Sequence, residues 1–451
     1  MKVKKILYRL LILLSSFHRG LFAGKMIGFL DFCRKVICEN KETFAGQIHE
    51  RMKLYNLLPE SSSDGVIDNN TIVATDKIKV RIVYPSGCSW NNIHTLYSAF
   101  MEDERFQTYV LVRKEIRFVN IMKKVGCSYI ILDDYDLRVD RPDILIVTSY
   151  SSSDPEISFP QCRFFVKKIY SVFPNAVMNE KDDEIHWKYV SNAYKYLNPD
   201  YYIVDPLPYN SLIKYIPSEK LIKLGNPQFD EIYNEVGKNH SIPKNWDKLR
   251  GKKVFLWATD HGINESYPKN GFTIDLYLGK MIRYFSEHEE LGLIFRPHPE
   301  FIREMLHGGH FWTNDDIQCI KDYMFTSPNM IWDDTYDYCC AYDICDALIV
   351  DINCSITVTF LTTGKPICRL KRYDIGEWLI SPELYDSYYY ANNMDECVEF
   401  INNICVGIDP KKELRKSAFK KAILYFDGCN GQRIKKYIVE DYLNDYSIKK
   451  V

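Results

Sequence analysis

The stretch "IDLYLGKMIRYFSEHEELGLIFRPHPE", residues 274–300, carries the reading that decides the fold. Leu278, Met281, Ile282 and Phe285 recur at helical spacing among charged residues, which predicts an amphipathic helix. The run 291–295, "LGLIF", is apolar without alternation, as in a strand covered on both faces. It stops abruptly at Arg296 and at His298, which is held between Pro297 and Pro299. Helix, buried strand and polar loop within so short a stretch is the repeating unit of a doubly wound parallel sheet.

The same rhythm extends in both directions. Upstream, "KKVFLWATDHG" (252–262) is a strand followed by a polar loop. Downstream, 329–334, 336–346, 347–351, 354–366 and 367–370 read as strand, helix, strand, helix and strand. "LIKLGNPQFDEIY" (221–233) reads as the start of this series. An earlier series has strands at 79–85, 108–113, 128–134, 142–149 and 163–173, with a helix at 93–103. Segment 59–77 is rich in Ser, Asp, Asn and Gly and reads as a linker, and residues from 394 onward have helical periodicity. The expected fold class is therefore α/β, with two doubly wound, Rossmann-like domains facing a cleft and an N-terminal helical extension. The expected division is a basic helical region 1–58, linker 59–77, domains 78–222 and 223–393, and closing helices 394–451.

Composition agrees with two cores rather than one. A chain of 451 residues exceeds the roughly 250–300 at which single cores stop growing. A hydrophobic share of 46%, a charged share of 26% and a net charge of -2 describe a folded protein with no general attraction to nucleic acid. The 14 cysteines, several in apolar runs and none in a CxxC pair, read as reduced thiols of a cytoplasmic protein rather than a disulfide framework or a zinc site. Residues 1–35 hold eight Lys or Arg against one Asp, a local balance of +7. Their apolar run 6–14 is broken by Arg9 and is far shorter than the roughly 20 residues of a membrane span. It reads as a basic helix lying on an anionic membrane surface, with a helix packed on its own protein as the other reading.

In open α/β sheets ligands bind beyond the carboxyl ends of the strands. The loops at those ends in the second series hold Thr259, Asp260 and His261, then Arg296, His298 and Glu300, then Asp351, Asn353, Cys354 and Ser355, with Gly364 and Lys365 following. Arg296 can fork two phosphate oxygens, His298 can donate to a third, and Ser355 can add hydroxyl and backbone donors at a helix start. The set Arg296, His298, Ser355, Gly364 and Lys365 is thus a candidate diphosphate cradle, with Thr259, Asp260, Asp351 and Asn353 as further cleft candidates. Pro297 and Pro299 limit the loop's freedom, so little entropy is lost on binding. Asp260 and Asp351 end neighbouring strands and invite a metal, but their reading as turn formers and helix caps is preferred, and no metal or cofactor is assigned.

Residues 225–230 "GNPQFD", 257–262 "WATDHG", 295–300 "FRPHPE", 333–351 and 354–367 "CSITVTFLTTGKPI" occur in an order that resembles the CDP-glycerol glycerophosphotransferase family. These are teichoic-acid and capsule polymerases of the two-domain GT-B fold. The resemblance implies transfer of a phospho-polyol from a CDP-linked donor to a lipid-linked or polymer acceptor at the cytoplasmic face of the cell membrane. It maps the donor-phosphate role onto His298, with Arg296 beside it, and onto Ser355. Two departures stand out. Asp351-Ile352-Asn353-Cys354-Ser355 has one residue more than the family's Asp-x-Ser-Ser, and the family's His-Gly segment is here "YSVFPNAVM" (170–178). The base must then come from elsewhere: His261 is the preferred candidate, before His94, His186 or Asp260. A glycosyltransferase using a nucleotide-sugar donor and a non-catalytic partner in surface-polysaccharide assembly are the alternative functions.

If the basic segment binds an anionic leaflet, deleting residues 1–35 moves the protein from the membrane fraction to the soluble one. A full-length chain already soluble at low salt contradicts this.

Overall fold

The computed structural model describes residues 77–84, 90–114, 116–148, 165–172, 199–206, 210, 213, 216–238, 242–260, 272–299, 301–307, 312–335, 338–351, 356–372 and 382–447. Among the described residues thirteen strands form two sheets, and every pairing is parallel. The first sheet contains β1 (Ile78–Tyr84), β2 (Phe106–Val112), β3 (Tyr129–Ile131), β4 (Ile144–Val147), β5 (Lys168–Val172), β6 (Tyr201–Val204) and β7 (Leu221–Lys223), in the order 3-2-1-4-5-6-7. The second contains β8 (Lys253–Ala258), β9 (Leu291–Arg296), β10 (Met330–Trp332), β11 (Ala347–Asp351), β12 (Ile367–Leu370) and β13 (Tyr389–Ala391), in the order 10-9-8-11-12-13. Each order reverses beside its first strand, between β1 and β4 and between β8 and β11. Such a reversal splays the loops at the carboxyl edge apart and leaves a crevice.

The helices that matter below are α1 (His94–Met101), α2 (Gln228–Glu235), α3 (Ile274–Glu287), α4 (Cys339–Ile344), α5 (Ile356–Phe360) and α6 (Asn430–Ser447). Central strands lack apolar alternation because both faces are covered. Val80 and Ile82 of β1 enter one core cluster, and Val83, Leu145 and Val147 enter another on the opposite face. The second sheet likewise sends Leu256, Ile294 and Val350 to one side, and Phe255, Phe295 and Ile349 to the other. No disulfide links the described cysteines.

Leu221–Lys223, read from sequence as the start of the second series, is instead the last strand of the first sheet, so the break between sheets falls after Lys223. The chain also does not stay with the second sheet to its end. Ile434, Ile438, Val439 and Tyr442 of α6 pack into the core of the first sheet. This return is fixed by the "GNPQFD" segment. Asp230 is fully buried, and its carboxylate accepts the backbone N–H groups of Asn430 (2.8 Å) and Gly431 (2.7 Å) in the first turn of α6. Thr95 of α1 donates its hydroxyl to the same carboxylate at 2.9 Å. Gly431 has to be glycine, because a Cβ there would stand 2.5 Å from the Thr95 carbonyl carbon. Gly225, with φ +82°, leaves room for the Asn430 side chain. His94, one of the candidate bases, is drawn into the same junction through Glu231 of α2.

Asp230→Ala leaves two buried N–H groups of α6 without an acceptor and is expected to cost roughly 2–4 kcal/mol in urea unfolding. Thr95→Ala should cost about 1 kcal/mol. A change below 1 kcal/mol for Asp230→Ala would contradict the latch.

Candidate functional site

The carboxyl edge of the second sheet is built by strand register. Ala258 of β8 pairs with Arg296 of β9 on one side and Val350 of β11 on the other, so these three side chains share one face in one row. Ala258 and Val350 are buried in the core on that face, and Arg296 stands at the end of the row. Arg296 does not stand open, however. Its Nη1 donates to the Asp333 carboxylate and to the Thr335 hydroxyl (3.2 Å), and its Nη2 donates to the Thr335 carbonyl (2.8 Å). Asp333 also accepts the Thr335 N–H (3.0 Å) and hydroxyl (2.7 Å), which closes the turn after β10. The guanidinium lies 5.9 Å from the ring centre of buried Tyr338, whose hydroxyl sits beside Gln228 of α2 and Asn91 of the first half. The ledge therefore faces the other sheet, across the junction held by Asp230.

This corrects the sequence-derived picture of Arg296. With its side chain 11% exposed and Nη1 and Nη2 already donating to Asp333 and Thr335, it is first a clamp on the 333–335 turn and only then a source of positive charge. His298 lies just beyond, half-buried, at the tip of the Pro297–Pro299 turn, and its carbonyl accepts the Phe301 N–H at 2.8 Å. Thr259 is buried at the end of β8, where its N–H donates to the Arg296 carbonyl at 3.4 Å.

Asp351 belongs to the opposite face, at the point where the strand order reverses. Its carboxylate accepts the Asp260 N–H at 2.8 Å and the hydroxyl of Thr273, which precedes α3. Asp260 and Asp351 do meet across strand ends, but through a backbone N–H and a carboxylate, which is the turn-forming role. Complete burial pushes the Asp351 carboxyl up to about 7, against the pull of those two donors. Among the described residues no three His, Cys, Asp or Glu side chains are grouped to hold a metal ion.

Gly364 and Lys365 are not part of this edge. Gly364, with φ +68°, ends a short helix just before β12, so both residues lie at the amino edge of the sheet, the far side from His298. Lys365 Nζ donates to the carbonyls of Tyr342 (2.6 Å), Asp343 (3.0 Å) and Cys345 (2.7 Å), capping the end of α4. It is a helix-capping lysine, and neither residue is available to a diphosphate at the carboxyl edge. His261, Asn353, Ser355, His186 and Glu300 lie outside the described residues. Sequence reading missed Asp333, Tyr338 and Thr273. Only Asp333 carried a signal, since Asp-x-Thr is a turn-closing pattern.

No family model matches the sequence, and neither does any curated protein. Solved structures do match in fold. The wall teichoic acid polymerase TagF superposes with a TM-score of 0.59 at 12% identity, over 95% of this chain and 100% of that chain. MnaA of S. aureus, solved with UDP, gives a TM-score of 0.57 at 14% identity over 81% and 97%. A UDP-N-acetylglucosamine 2-epimerase from Rickettsia bellii gives 0.54 at 15% identity over 82% and 99%. At these identities the likeness concerns the fold: two parallel, doubly wound sheets of the GT-B type.

A carboxyl group held at about 7 in the folded chain and near 3.9 unfolded binds its proton more tightly when folded. That contribution is complete at acid pH and is lost as pH rises toward and through 7, with a slope of up to about 1.4 kcal/mol per pH unit. Asp351→Asn keeps an acceptor for the Asp260 N–H and should flatten this part of the stability curve between about pH 4 and 7. Asp205, also raised by burial to about 7, is common to both proteins. Parallel curves for wild type and variant would contradict the assignment.

Proposed function

We propose that this protein is a transferase that moves a phospho-polyol, glycerol phosphate or a close relative, from a CDP-linked donor to a lipid-linked or polymer acceptor in cell-surface polysaccharide synthesis. The observation that carries the reading is the position of "FRPHPE": the sequence that resembles the CDP-glycerol family falls at the carboxyl end of β9, where a doubly wound sheet binds its ligand. The breadth of the TagF match supports it, since that alignment takes in 95% of this chain and the MnaA alignment 81%. A variant of TagF was solved after a soak with CDPG, at a TM-score of 0.56 and 12% identity over 94% of this chain and 98% of that one.

In the reaction an acceptor hydroxyl attacks the polyol-bearing phosphorus, a new O–P bond forms, and the bond to CMP breaks. Such a transfer needs positioning and neutralisation of charge on the departing phosphate more than covalent help. In this reading His298 donates to the diphosphate. Arg296 holds the adjoining 333–335 turn and adds positive charge behind it, while His261 is the preferred base and Ser355 and Asn353 complete the donor side. The working place is the inner face of the cell membrane, reached through the basic segment 1–35. Among the described residues no helix is long and apolar enough to cross a membrane.

A second reading, transfer or rearrangement of a nucleotide-linked sugar, is favoured by the UDP-N-acetylglucosamine 2-epimerase among the fold relatives. One assay separates the two. Purified protein with CDP-glycerol, CDP-ribitol or UDP-sugars and a lipid-linked acceptor should release CMP from the CDP-polyols, and His298→Ala should lower kcat/KM by roughly 10²–10³. Release of UDP or CDP instead overturns the phospho-polyol reading.

A further inference from the structure

Among the described residues three arginines are fully buried: Arg81, Arg369 and Arg415. Two are matched in place. Arg81 donates through Nε (2.6 Å) and Nη2 (2.9 Å) to the Asp140 carboxylate, and through Nη1 to the Gln107 carbonyl (3.0 Å). Arg415 donates through both Nη atoms to Asp409 and through Nε to the Gly364 carbonyl at 3.3 Å. Arg369 of β12 differs: among the described residues its Nε, Nη1 and Nη2 have no close hydrogen bond and no carboxylate, only the neutral Tyr390 hydroxyl nearby. Its guanidinium sits 5.5 Å from the ring centre of Tyr388, which is equally buried and whose hydroxyl lies beside Thr357 without a close hydrogen bond.

An arginine does not shed its proton, so burial cannot be relieved by neutralisation as it can for a lysine or a carboxyl. A charge buried without a partner is one of the costlier arrangements a fold can hold. The guanidinium brings donors alone and the phenol hydroxyls around it are only neutral acceptors, so the partner it lacks is an acceptor with negative charge.

Register gives its place. Arg369 pairs with Val350 on one side and Tyr390 on the other, and Val350 continues through Ala258 to Arg296. Arg369 and Arg296 thus stand in one row on one face of the sheet. Three strand spacings, about 14 Å between Cα atoms, separate them. Both belong to the carboxyl edge, on either side of the point where the strand order reverses. Arg296 is already neutralised by Asp333, and Arg369 has no such carboxylate. Lys371, two residues further along the chain, adds positive charge beside Tyr390, its Nζ 4.8 Å from that ring centre.

We propose that Arg369 and the Tyr388 hydroxyl are the ligands of a phosphate-class anion bound at the carboxyl edge of β12, three strands along from Arg296. The inference does not rest on the identity of the donor. The anion is either free phosphate or a phosphoryl group of a larger substrate.

The test is thermal unfolding of the full chain at low ionic strength, titrated with inorganic phosphate. The wild type should gain about 1–2 °C at a tenfold excess over Kd. Arg369→Met should not respond, and without phosphate it should melt at or above the wild type, because the uncompensated charge is gone. Tyr388→Phe should melt like the wild type without phosphate and bind it on the order of tenfold more weakly. Should Arg369→Met fail to fold, Tyr388→Phe and Arg369→Lys carry the test through their phosphate affinity. Repeating the titration with saturating CDP-glycerol assigns the occupant: an unchanged response means free phosphate, and a lost response means the donor's own phosphoryl group. A wild type that ignores phosphate, or variants that respond as it does, overturns the proposal. CDP-glycerol turnover is measured separately, so failure here leaves the transferase reading standing, and loss of turnover leaves this site standing.

Discussion

The molecule depends on one buried carboxylate. Asp230 caps the first turn of α6 with two backbone hydrogen bonds and takes a third from Thr95 on α1. That tie joins the two halves, together with the His94 contact to Glu231 and the approach of Tyr338 to Asn91. With it, α6 is pinned at its start and delivers Ile434, Ile438 and Tyr442 to the core of the first sheet. The approach is close enough that only a glycine fits at 431. A capping interaction ordinarily stabilises one helix. Here the cap and the helix belong to different parts of the chain, so the same bonds set where one half stands relative to the other.

That position gives the carboxyl edge of the second sheet its meaning. Each sheet reverses strand order beside its first strand, and each reversal opens a crevice. Tyr338, lying under Arg296, reaches Asn91 of the first half and Gln228 of α2, so the ledge is closed in from the other side of the molecule. Two charges along this edge are internally compensated, Arg296 by Asp333 and Asp351 by the donors Thr273 and Asp260. Among the described residues Arg369 has no carboxylate partner. The edge is therefore not a uniform positive strip. It combines a braced turn presenting His298 with a separate, unneutralised arginine three strands away.

Much of this was legible in the sequence, for identifiable reasons. Strands β8, β9 and β11 are apolar runs ended by polar loops, and the helix between β8 and β9 has an unbroken apolar stripe, so periodicity alone located them. The four residues of β6 and the three each of β7 and β13 are too short to carry a period, and β7 was assigned to the wrong sheet. Lys365 was misread although strand direction was enough to place it: a residue immediately before a parallel strand lies at the amino edge, away from the ligand. The pairing of Arg296 with Asp333 was not legible, because 37 residues separate them and only the adjacency of β9 and β10 brings them together. Arg369 was hidden for the same reason. In sequence it is one basic residue in "CRLKR", and only burial without a carboxylate partner sets it apart.

The central claim is that the carboxyl edge of the second sheet, braced by Arg296 and presenting His298, is where a nucleoside-diphosphate donor binds. Amide hydrogen exchange of the full chain with and without CDP-glycerol tests it most directly. The account predicts added protection in 296–303 and 333–342, where the His298 turn and the Asp333 to Tyr338 ledge lie, with little change along 364–366 at the opposite edge. Protection confined to the first sheet, or no change anywhere at saturating CDP-glycerol, would contradict it.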